Sequence, residues 1–401
     1  MASSQIHLGV AAEGSRTSSG ERRRRLTSGR ELRPSSKVLP GDGRWHNRSL
    51  VLQTLYSTGG QSRADIARGT GLTRVTVSDL AAELIAEGLV IETGQRKDAR
   101  PGKPATLLDI PRGAFQIIGI DLSEYRLLRG AVLDLDGRIL SRAEVPLAGS
   151  AGDEATAKVI ALTDLLVSQA TAPILGVGVG SPGIVHPGGV VLSAPNLGWY
   201  AVDLQGILTS RLSLPVVVAN DANVAALAEH SFGQADSDMM LIKVGHGMGA
   251  GLLLAGTLVL GSRFAAGEVG HVVVGADHGG AECICGKLGC LETWLATPRL
   301  EARLAAATDE AAKTQVLTEA GKYLGIALAP VVGALNLSEV VLSGPPQLLD
   351  GPLAQATLET LHTRTMAEFY GGITVRMTDL GEDIVVRGAA VLVLSRQLGV
   401  S

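Results

Sequence analysis

Apolar positions near the start of the chain recur at helical spacing. Between residues 62 and 85 they return every three or four residues, which predicts two short amphipathic helices. Ser62 and Thr73 are suited to cap these helices, and Gly71 to make the turn between them. The positions expected to face inward are Ile66, Ala67, Val77, Leu80, Leu84 and Ile85.

From residue 114 onward the pattern changes to short β-branched runs that alternate with helical segments and glycine-rich turns. This alternation is typical of an α/β fold with mainly parallel or mixed sheets. The runs expected to form strands are Ile117–Ile120, Ala131–Leu135, Ile174–Val179, Pro215–Ala219, Met240–Val244 and Val340–Ser343.

The two patterns divide the chain into three parts. Residues 1–45 are rich in Ser, Gly and Arg without apolar periodicity, which predicts a disordered basic tail. This tail is either inert or an arm that adds phosphate contacts. Residues 46–110 form a small domain that ends in a strand, a basic hairpin and a return strand, as in a winged helix-turn-helix. Residues 114–401 form the large α/β domain.

Composition places the protein among cytoplasmic globular proteins. Hydrophobic residues make up 46% of the 401 residues and charged residues 18%, which excludes disorder over most of the chain. No apolar run reaches the roughly 18 residues of a membrane span, and the start lacks the apolar core of a signal peptide. Residues 1–110 carry 17 basic and 11 acidic side chains, whereas the rest of the chain has a net charge of −10. The basic front therefore predicts contact with a polyanion.

Polar side chains near the start of the second helix are the candidates for reading DNA. Small polar groups and an arginine at a recognition-helix N-terminus reach base edges and phosphates in the major groove. Small helical domains of this kind also occur as modules that bind other partners. The basic hairpin favours double-stranded DNA in the nucleoid as the partner, and we expect a dimer or tetramer of the protein to bind it. The predicted DNA contacts are Thr73, Arg74, Thr76 and Ser78 on the helix and Arg96, Lys97, Arg100 and Lys103 on the wing.

All three cysteines lie within eight residues, as Cys283, Cys285 and Cys290. An odd, clustered count in a cytosolic protein favours a metal over disulfides. Three thiolates and a nearby histidine complete a closed tetrahedral zinc site, which is structural. Three free thiols or a redox switch are the alternatives.

Four stretches of the large domain, together with the winged helix, resemble the ROK family of repressors, open reading frames and sugar kinases. The resemblance runs from about residue 46 to the C-terminus and implies the actin-like ATPase fold. The stretches are residues 176–183 (GVGVGSPG), 194–199 (APNLGW), 220–229 (NDANVAALAE) and 266–271 (AGEVGH) followed by 283–292 (CICGKLGCLE).

The resemblance implies a sugar site and identifies its residues. A pyranose needs rigidly held carboxylates and amides, because each hydroxyl both donates and accepts hydrogen bonds. His271 is the family-matching fourth zinc ligand, and Asp221 matches the base that activates the attacked hydroxyl in the kinases. The matching sugar-binding positions are Asn196, Asn220, Asp221, Glu268, His271 and Glu292.

The loops that bind ATP in kinases of this family depart from the kinase pattern in three places. Residues 119–126 (GIDLSEYR) displace the glycine and hydroxyl of the first phosphate loop and add Glu124. His246 replaces the hydroxyl donor of the second loop, and the adenine-side turn reads Ser-Gly-Pro-Pro at residues 343–346. Because proline lacks an amide donor, all three changes favour loss of ATP binding. We therefore expect no catalytic residue, even though Asp221 is present.

The sequence thus predicts a sugar-responsive transcriptional repressor of carbohydrate genes. An ATP-dependent sugar kinase that also binds DNA is the alternative, and a repressor controlled by a docked protein is a third. The identity of the sugar, the operator sequence and the sign of the coupling between sugar and DNA stay open at this point.

Overall fold

The structure is a computed structural model that describes residues 40–95, 105–274, 281–366 and 372–400. Residues 44–401 form one compact unit. The first helix begins at Pro40, ahead of the boundary that the sequence pattern places after residue 45.

Three helices and a small antiparallel sheet form the N-terminal part. Ser62 caps the second helix through a capping box with Asp65, and Gly71 takes the left-handed conformation at φ 73°. The predicted helix caps and turn are therefore confirmed. Strands β1 and β2 both pair with β3, so the order is β1-β3-β2. The elements are α1 (Pro40–Thr58), β1 (Gln61–Ser62), α2 (Arg63–Thr70), α3 (Arg74–Ala86), β2 (Ile91–Gln95) and β3 (Thr106–Asp109).

A five-stranded mixed sheet forms the first lobe of the large domain, with strand order β11-β7-β4-β5-β6. Strands β11, β7 and β4 are parallel to one another, whereas β5 is antiparallel to both of its neighbours, β4 and β6. A small sheet, β10-β9-β8, extends this lobe. Its elements are β4 (Gln116–Asp121), β5 (Leu127–Leu133), β6 (Ile139–Pro146), α4 (Asp153–Gln169), β7 (Ile174–Ser181), β8 (Ile184–Val185), β9 (Val191–Ala194), β10 (Trp199–Val202), α5 (Leu204–Leu212) and β11 (Val216–Asn220).

A second five-stranded sheet, with order β14-β13-β12-β15-β16, forms the second lobe. All six predicted strand runs overlap strands of the two sheets, although Asp134 and Leu135 lie beyond the end of β5 and Pro215 lies before the start of β11. The elements of the second lobe are β12 (Met239–Val244), β13 (Met248–Leu254), β14 (Thr257–Leu258), α7 (Glu292–Leu295), α8 (Thr297–Ala306), α9 (Glu310–Leu335), β15 (Glu339–Ser343), α10 (Pro346–Leu349), α11 (Pro352–Arg364) and β16 (Thr374–Met377).

Two helices, α6 (Asp221–Phe232) and α12 (Ile384–Leu398), pack together between the lobes. Helix α12 contacts β4 and β7 of the first lobe, and α6 contacts β12 and β13 of the second. Glycines allow this close approach: a Cβ at Gly178 would lie 1.9 Å from the Ala389 carbonyl oxygen, and one at Gly388 would lie 1.9 Å from that of Val224. These helices therefore connect the two sheets without a gap.

The winged-helix part shares a hydrophobic core with the first lobe. Val51, Leu52 and Leu55 of α1 belong to the same buried cluster as Val393 and Leu394 of α12. This shared core holds the DNA-binding part firmly against the large domain.

Polar contacts support the same junction. The Tyr56 hydroxyl donates to the Leu135 carbonyl oxygen at 2.7 Å, and the Arg112 guanidinium lies 4.3 Å above the Tyr56 ring. Arg112 also pairs with Asp136 at 2.5 Å. The junction is therefore both apolar and ionic.

Within the described ranges, α9 alone is long and apolar enough to cross a membrane by length and composition. Half of its most apolar window is buried, and the helix packs against α11. Burial against neighbouring helices is what a core helix of a globular domain requires.

Candidate functional site

The second helix of the helical pair, α3, presents the polar side chains at its N-terminus outward. The Thr73 side chain caps the helix by accepting from the Thr76 backbone amide at 3.1 Å. Arg74 and Ser78 are exposed, whereas Thr76 is half-buried. Val75, which the sequence pattern does not single out, is 71% exposed beside them. A methyl-bearing side chain in this position suits contact with the methyl group of thymine.

Strands β2 and β3 pair antiparallel, as a wing requires. The predicted wing contacts Arg96, Lys97, Arg100 and Lys103 lie outside the described residues. Their role stays a prediction.

A cavity of about 590 Å³ lies where elements of the two lobes meet. The structure brings all six residues of the predicted sugar site to its wall. They come from separate loops and helix starts: Asn196, Asn220, Asp221, Glu268, His271 and Glu292.

Asn220 and Asp221 begin helix α6 in the cavity wall. The Asn220 side-chain oxygen accepts from the Asn223 amide at 3.0 Å and thereby caps the helix. Its amide group donates to the Gly183 carbonyl oxygen at 2.8 Å and to Asp221 Oδ1 at 3.2 Å. Both amide protons of Asn220 are thus used within the protein, so this side chain mainly positions Asp221.

Lys243 of β12 forms an ion pair with Asp221 across the junction of the lobes. The Nζ atom lies 3.2 Å from Asp221 Oδ2, and both side chains are 14% exposed. Burial opposes the charged form of Lys243, but Asp221 and Asp121 outweigh it, so the pKa of Lys243 is raised. Sequence reasoning missed this residue, although a lysine inside an otherwise apolar strand was a signal for a buried ion pair.

The four predicted metal ligands converge. The ligand atoms of His271, Cys283, Cys285 and Cys290 all lie within 4.8 Å of one another. Cys285 Sγ is 3.6 Å from Cys290 Sγ, and Cys283 Sγ is 3.5 Å from His271 Nδ1. Tetrahedral zinc requires about 3.8 Å between sulfurs and about 3.5 Å between sulfur and nitrogen. These four side chains, the histidine-cysteine cluster, can therefore hold a metal ion.

Two of the three thiols of this cluster are in surroundings that disfavour a bare negative charge. Burial raises the pKa of Cys283, and burial together with hydrogen bonds that Cys290 donates to the other two cysteines raises the pKa of Cys290 to about 12, whereas a backbone hydrogen bond from Lys287 lowers the pKa of Cys285. A divalent cation supplies the charge that converts such thiols to thiolates. The donor set therefore fits a metal better than three free thiols.

His271 and Glu292 connect the histidine-cysteine cluster to the cavity. His271 directs Nδ1 toward Cys283 and has Nε2 4.0 Å from a carboxylate oxygen of Glu268. Glu292 accepts from the Met248 amide at 3.0 Å through Oε2 and has Oε1 3.8 Å from Cys283 Sγ. The cluster thus braces the wall of the cavity.

Two loops that depart from the phosphate-binding pattern of the kinases contact each other. The Tyr125 ring, from the turn between β4 and β5, stacks on the His246 ring, from the turn between β12 and β13. The ring centres are 3.9 Å apart and the planes differ by 8°. Glu124 lies 3.5 Å from Arg129, so its negative charge is partly compensated.

The turn after β15 lacks backbone N–H donors at two successive residues. Pro345 and Pro346 start the short helix α10 directly after Gly344, which has φ 147°. Two successive residues without an N–H cannot bind an anion through the backbone.

The fold and the site define a winged-helix protein joined to a two-lobed, actin-like domain of the sugar-kinase type. The sequence profile of the ROK family matches residues 117–396, and that of the MarR family matches residues 46–101. The chain belongs to the ROK family.

Two kinds of protein, repressors and sugar kinases, are similar in sequence to this chain. The xylose repressor of Caldicellulosiruptor bescii is 29% identical over 88% of this chain and 96% of its own length. The glucokinase of Halalkalibacterium halodurans is also 29% identical, over 70% of this chain and 95% of its own length. The match to the repressor therefore covers more of this chain than the match to the glucokinase does.

A solved structure agrees with the fold. A ROK family transcriptional regulator, a homologue of the Escherichia coli MLC protein, superposes with a TM-score of 0.78 at 23% identity. It covers 89% of this chain and 97% of its own. The predicted fold class, a winged helix-turn-helix with an actin-like two-lobed domain, is confirmed.

Proposed function

We propose that this protein is a transcriptional repressor of carbohydrate genes that binds operator DNA through α3 and the wing and senses a sugar in the cavity. The observation that carries the proposal is the joining of an exposed recognition helix to a sugar-type cavity through one shared core. The match to a xylose repressor along most of the chain supports it.

The proposed sugar contacts supply both hydrogen-bond donors and hydrogen-bond acceptors. Asn196 lies exposed in the short 3-10 helix Pro195–Leu197, ready to offer both a donor and an acceptor. Asp221, Glu268 and Glu292 supply carboxylate oxygens, and His271 supplies its second ring nitrogen. These groups match the alternating donors and acceptors of a pyranose.

The histidine-cysteine cluster holds structural zinc. Three thiolates and an imidazole leave no open coordination position, so zinc braces the loop rather than reacting. Its function here is to fix the ring of His271 and the position of Glu292 toward the sugar.

The large domain binds sugar without phosphorylating it. Lys243 engages the carboxylate of Asp221, the Tyr125–His246 stack joins the two phosphate loops, and prolines replace amide donors at the third turn. The glucokinase relative favours the alternative, an active sugar kinase, because it covers nearly the whole large domain.

Sugar controls DNA binding by shifting a dimer between two arrangements of its winged helices. This shift requires that the sugar bind one arrangement more tightly than the other. Helix α6 starts at Asp221 and packs on α12, and α12 belongs to the same buried cluster as α1, so the cavity wall and the DNA-binding part share a continuous core.

The experiment is a fluorescence-anisotropy titration of the zinc-loaded full chain against double-stranded operators selected from random DNA. Arg74→Ala should weaken operator binding by about 1–3 kcal/mol, whereas Lys322→Ala, which removes an equal charge from an exposed position on α9, should not. One sugar from a panel of monosaccharides should change the operator affinity, and the direction gives the sign of the coupling.

Two results would contradict the proposal. Equal affinity of Arg74→Ala and wild type for every selected operator would exclude α3 as the reading helix. Formation of ADP on adding a sugar and ATP would show that the large domain is a kinase.

A further inference from the structure

Two pairs of aromatic rings connect the lobes beside the cavity. In the first pair, Tyr125 of the first lobe stacks on His246 of the second, with ring centres 3.9 Å apart. In the second pair, the centre of the His186 ring lies 4.8 Å from that of Phe264, and the two planes meet at 78°. Stacked and edge-to-face arrangements at such distances are attractive. Each pair therefore holds one lobe against the other.

The cores beside the second pair show that it joins the same two lobes. His186 directly follows Val185, which belongs to the buried cluster of the first lobe. Phe264 lies between Val259 and Val269, and both of these valines pack against the core of the second lobe. The second pair thus crosses from the first lobe to the second, as the first pair does.

Both pairs border the cavity, at two separate points. Ser123 and His246 line the cavity at the first pair, and Ile184, two residues before His186, lines it at the second. The first pair comes from the turn between β4 and β5 and the turn between β12 and β13, whereas the second follows β8 and β14. The lobes are therefore connected at more than one place along the cavity.

The backbone directs both rings of the second pair. The Gly188 amide donates to His186 Nδ1 at 2.9 Å and so fixes the orientation of the imidazole. Phe264 takes a left-handed conformation, with φ 62°. Bulky residues rarely adopt this conformation, because it costs free energy. A strained residue thus lies at the point where its ring contacts the other lobe.

The exposure of the rings makes both contacts separable. Tyr125 is 52% exposed, both histidines are exposed and Phe264 is half-buried. Separating such rings does not require the hydrophobic core of either lobe to open. An aromatic pair changes an equilibrium constant by about 2- to 10-fold, which is enough to bias two arrangements of the lobes without fixing one of them.

We propose that the Tyr125–His246 and His186–Phe264 pairs form a two-point latch that holds the lobes closed over the cavity and limits how fast a ligand enters and leaves. The inference rests on the proposed sugar-sensing function for the identity of the ligand, whereas the latch itself is a property of the two lobes. Because both pairs hold the same lobes, loss of one pair raises the population in which the other is open.

The test is hydrogen–deuterium exchange of the zinc-loaded full chain without ligand, followed by mass spectrometry. Amide exchange reports the population of locally open states. Tyr125→Ala should speed exchange by about 2- to 10-fold in its partner turn, residues 245–247, and also at the other pair, in residues 186–190 and 261–266. Tyr200→Ala, which removes an exposed tyrosine from β10 of the same lobe, is the matched control and should change neither region.

Phe264→Leu tests the latch from its other end. Leucine keeps the apolar bulk and the backbone strain of position 264 but removes the ring, so exchange should become faster in residues 123–126 and 245–247 as well as beside the altered residue. Faster exchange confined to the segments of the altered pair would show two independent local contacts and would overturn the latch. Unchanged exchange in all four segments would overturn it too. Neither result depends on a sugar, so both leave the sugar-sensing function intact.

Ligand kinetics test the consequence for the cavity. Glucose, xylose and N-acetylglucosamine are each passed over the immobilised protein, and the rates are measured by surface plasmon resonance. For a sugar that binds, dissociation from Tyr125→Ala and Phe264→Leu should be about 2- to 10-fold faster than from wild type and Tyr200→Ala. Unchanged dissociation from both variants would overturn the control of ligand exchange. If none of the three sugars and no other monosaccharide binds, the sugar-sensing function fails, and hydrogen exchange alone decides whether the latch exists.

Discussion

His271 has its two ring nitrogens directed at two different groups. Nδ1 lies 3.5 Å from Cys283 Sγ, and Nε2 faces the cavity beside Glu268. A metal bound on the first nitrogen fixes both the tautomer and the orientation of the ring. If the proposed metal and sugar both bind at His271, we expect the histidine to couple the stability of the metal site to the affinity for the sugar.

Cys285→Ser should remove zinc and weaken sugar binding. Loss of partners around a metal ligand already reduces metal affinity by about 10- to 100-fold, so loss of a ligand should reduce it at least that much. We expect about one zinc per chain in wild type and clearly less in the variant, with a lower melting temperature.

Ile284→Ser is the matched control, because Ile284 is the neighbouring residue and is 81% exposed. The zinc content and the melting temperature are measured for wild type, Cys285→Ser and Ile284→Ser. Full zinc content in Cys285→Ser would exclude Cys285 as a ligand.

Short sequence motifs predicted many residues of the site, but they did not predict which of these residues contact each other. The cysteine spacing predicted the cluster, and the structure brings its members together. The Lys243–Asp221 pair and the Tyr125–His246 stack each join one residue that follows a strand of the first lobe to one that belongs to or follows β12 of the second. Such pairs depend on how the two lobes pack, which local spacing does not encode.

Helices α6 and α12 form the central layer of the large domain, and their glycines set its thickness. At Gly388 the backbone of α12 meets the Val224 carbonyl oxygen of α6 directly. No side chain fits at this contact without moving one helix away from the other.

Gly388→Ala should destabilise the protein by about 1–3 kcal/mol, because the new methyl group overlaps backbone atoms. Gly333→Ala is the control within a helix: its added Cβ would lie 3.9 Å from the nearest atom, Thr365 Cγ2. This control should be stabilising by about 0.5–1 kcal/mol, since alanine favours helix.

Urea unfolding followed by circular dichroism measures both changes. If Gly388→Ala unfolds at the same urea concentration as wild type, the two helices are less tightly packed than described.

At the scale of elements, apolar runs predicted most of the buried strands but missed β13, whose apolar run is interrupted by glycines, and missed the exposed strands. The fully buried β4 and β15 read as continuous apolar runs. Strand β6 alternates exposed and half-buried positions, and β8 and β14 have two residues each, so neither kind produces an apolar run. Edge strands are recognised by their pairing, which only the folded sheet supplies.

Across the whole molecule, the position of the winged helix depends on the first lobe. The core shared by α1 and α12 is reinforced by Arg112, which stacks on Tyr56, donates to its carbonyl oxygen and pairs with Asp136. A rigid junction transmits a rotation of the lobe to the DNA-binding surface, whereas a loose junction does not.

Arg112→Ala should therefore reduce the effect of sugar on operator affinity more than the operator affinity itself. Coupling between two sites is typically about 1–3 kcal/mol, and we expect loss of about half of it. Arg211→Ala, which removes the surface pair with Asp164, is the control. The measurement is the operator dissociation constant with and without saturating sugar, and an unchanged ratio would place the coupling elsewhere.

The position of α12 also has a consequence for synthesis. Residues 384–398 complete the core that holds α1, yet a ribosome translates them more than 300 residues after α1. A nascent chain can form the helices of the winged part early, but it cannot dock them until α12 has left the exit tunnel. Contacts of such long sequence separation form late in folding. We therefore expect a polypeptide released before residue 384 to contain the reading helix without the helix that completes its core, and any DNA binding by such a fragment to be independent of sugar.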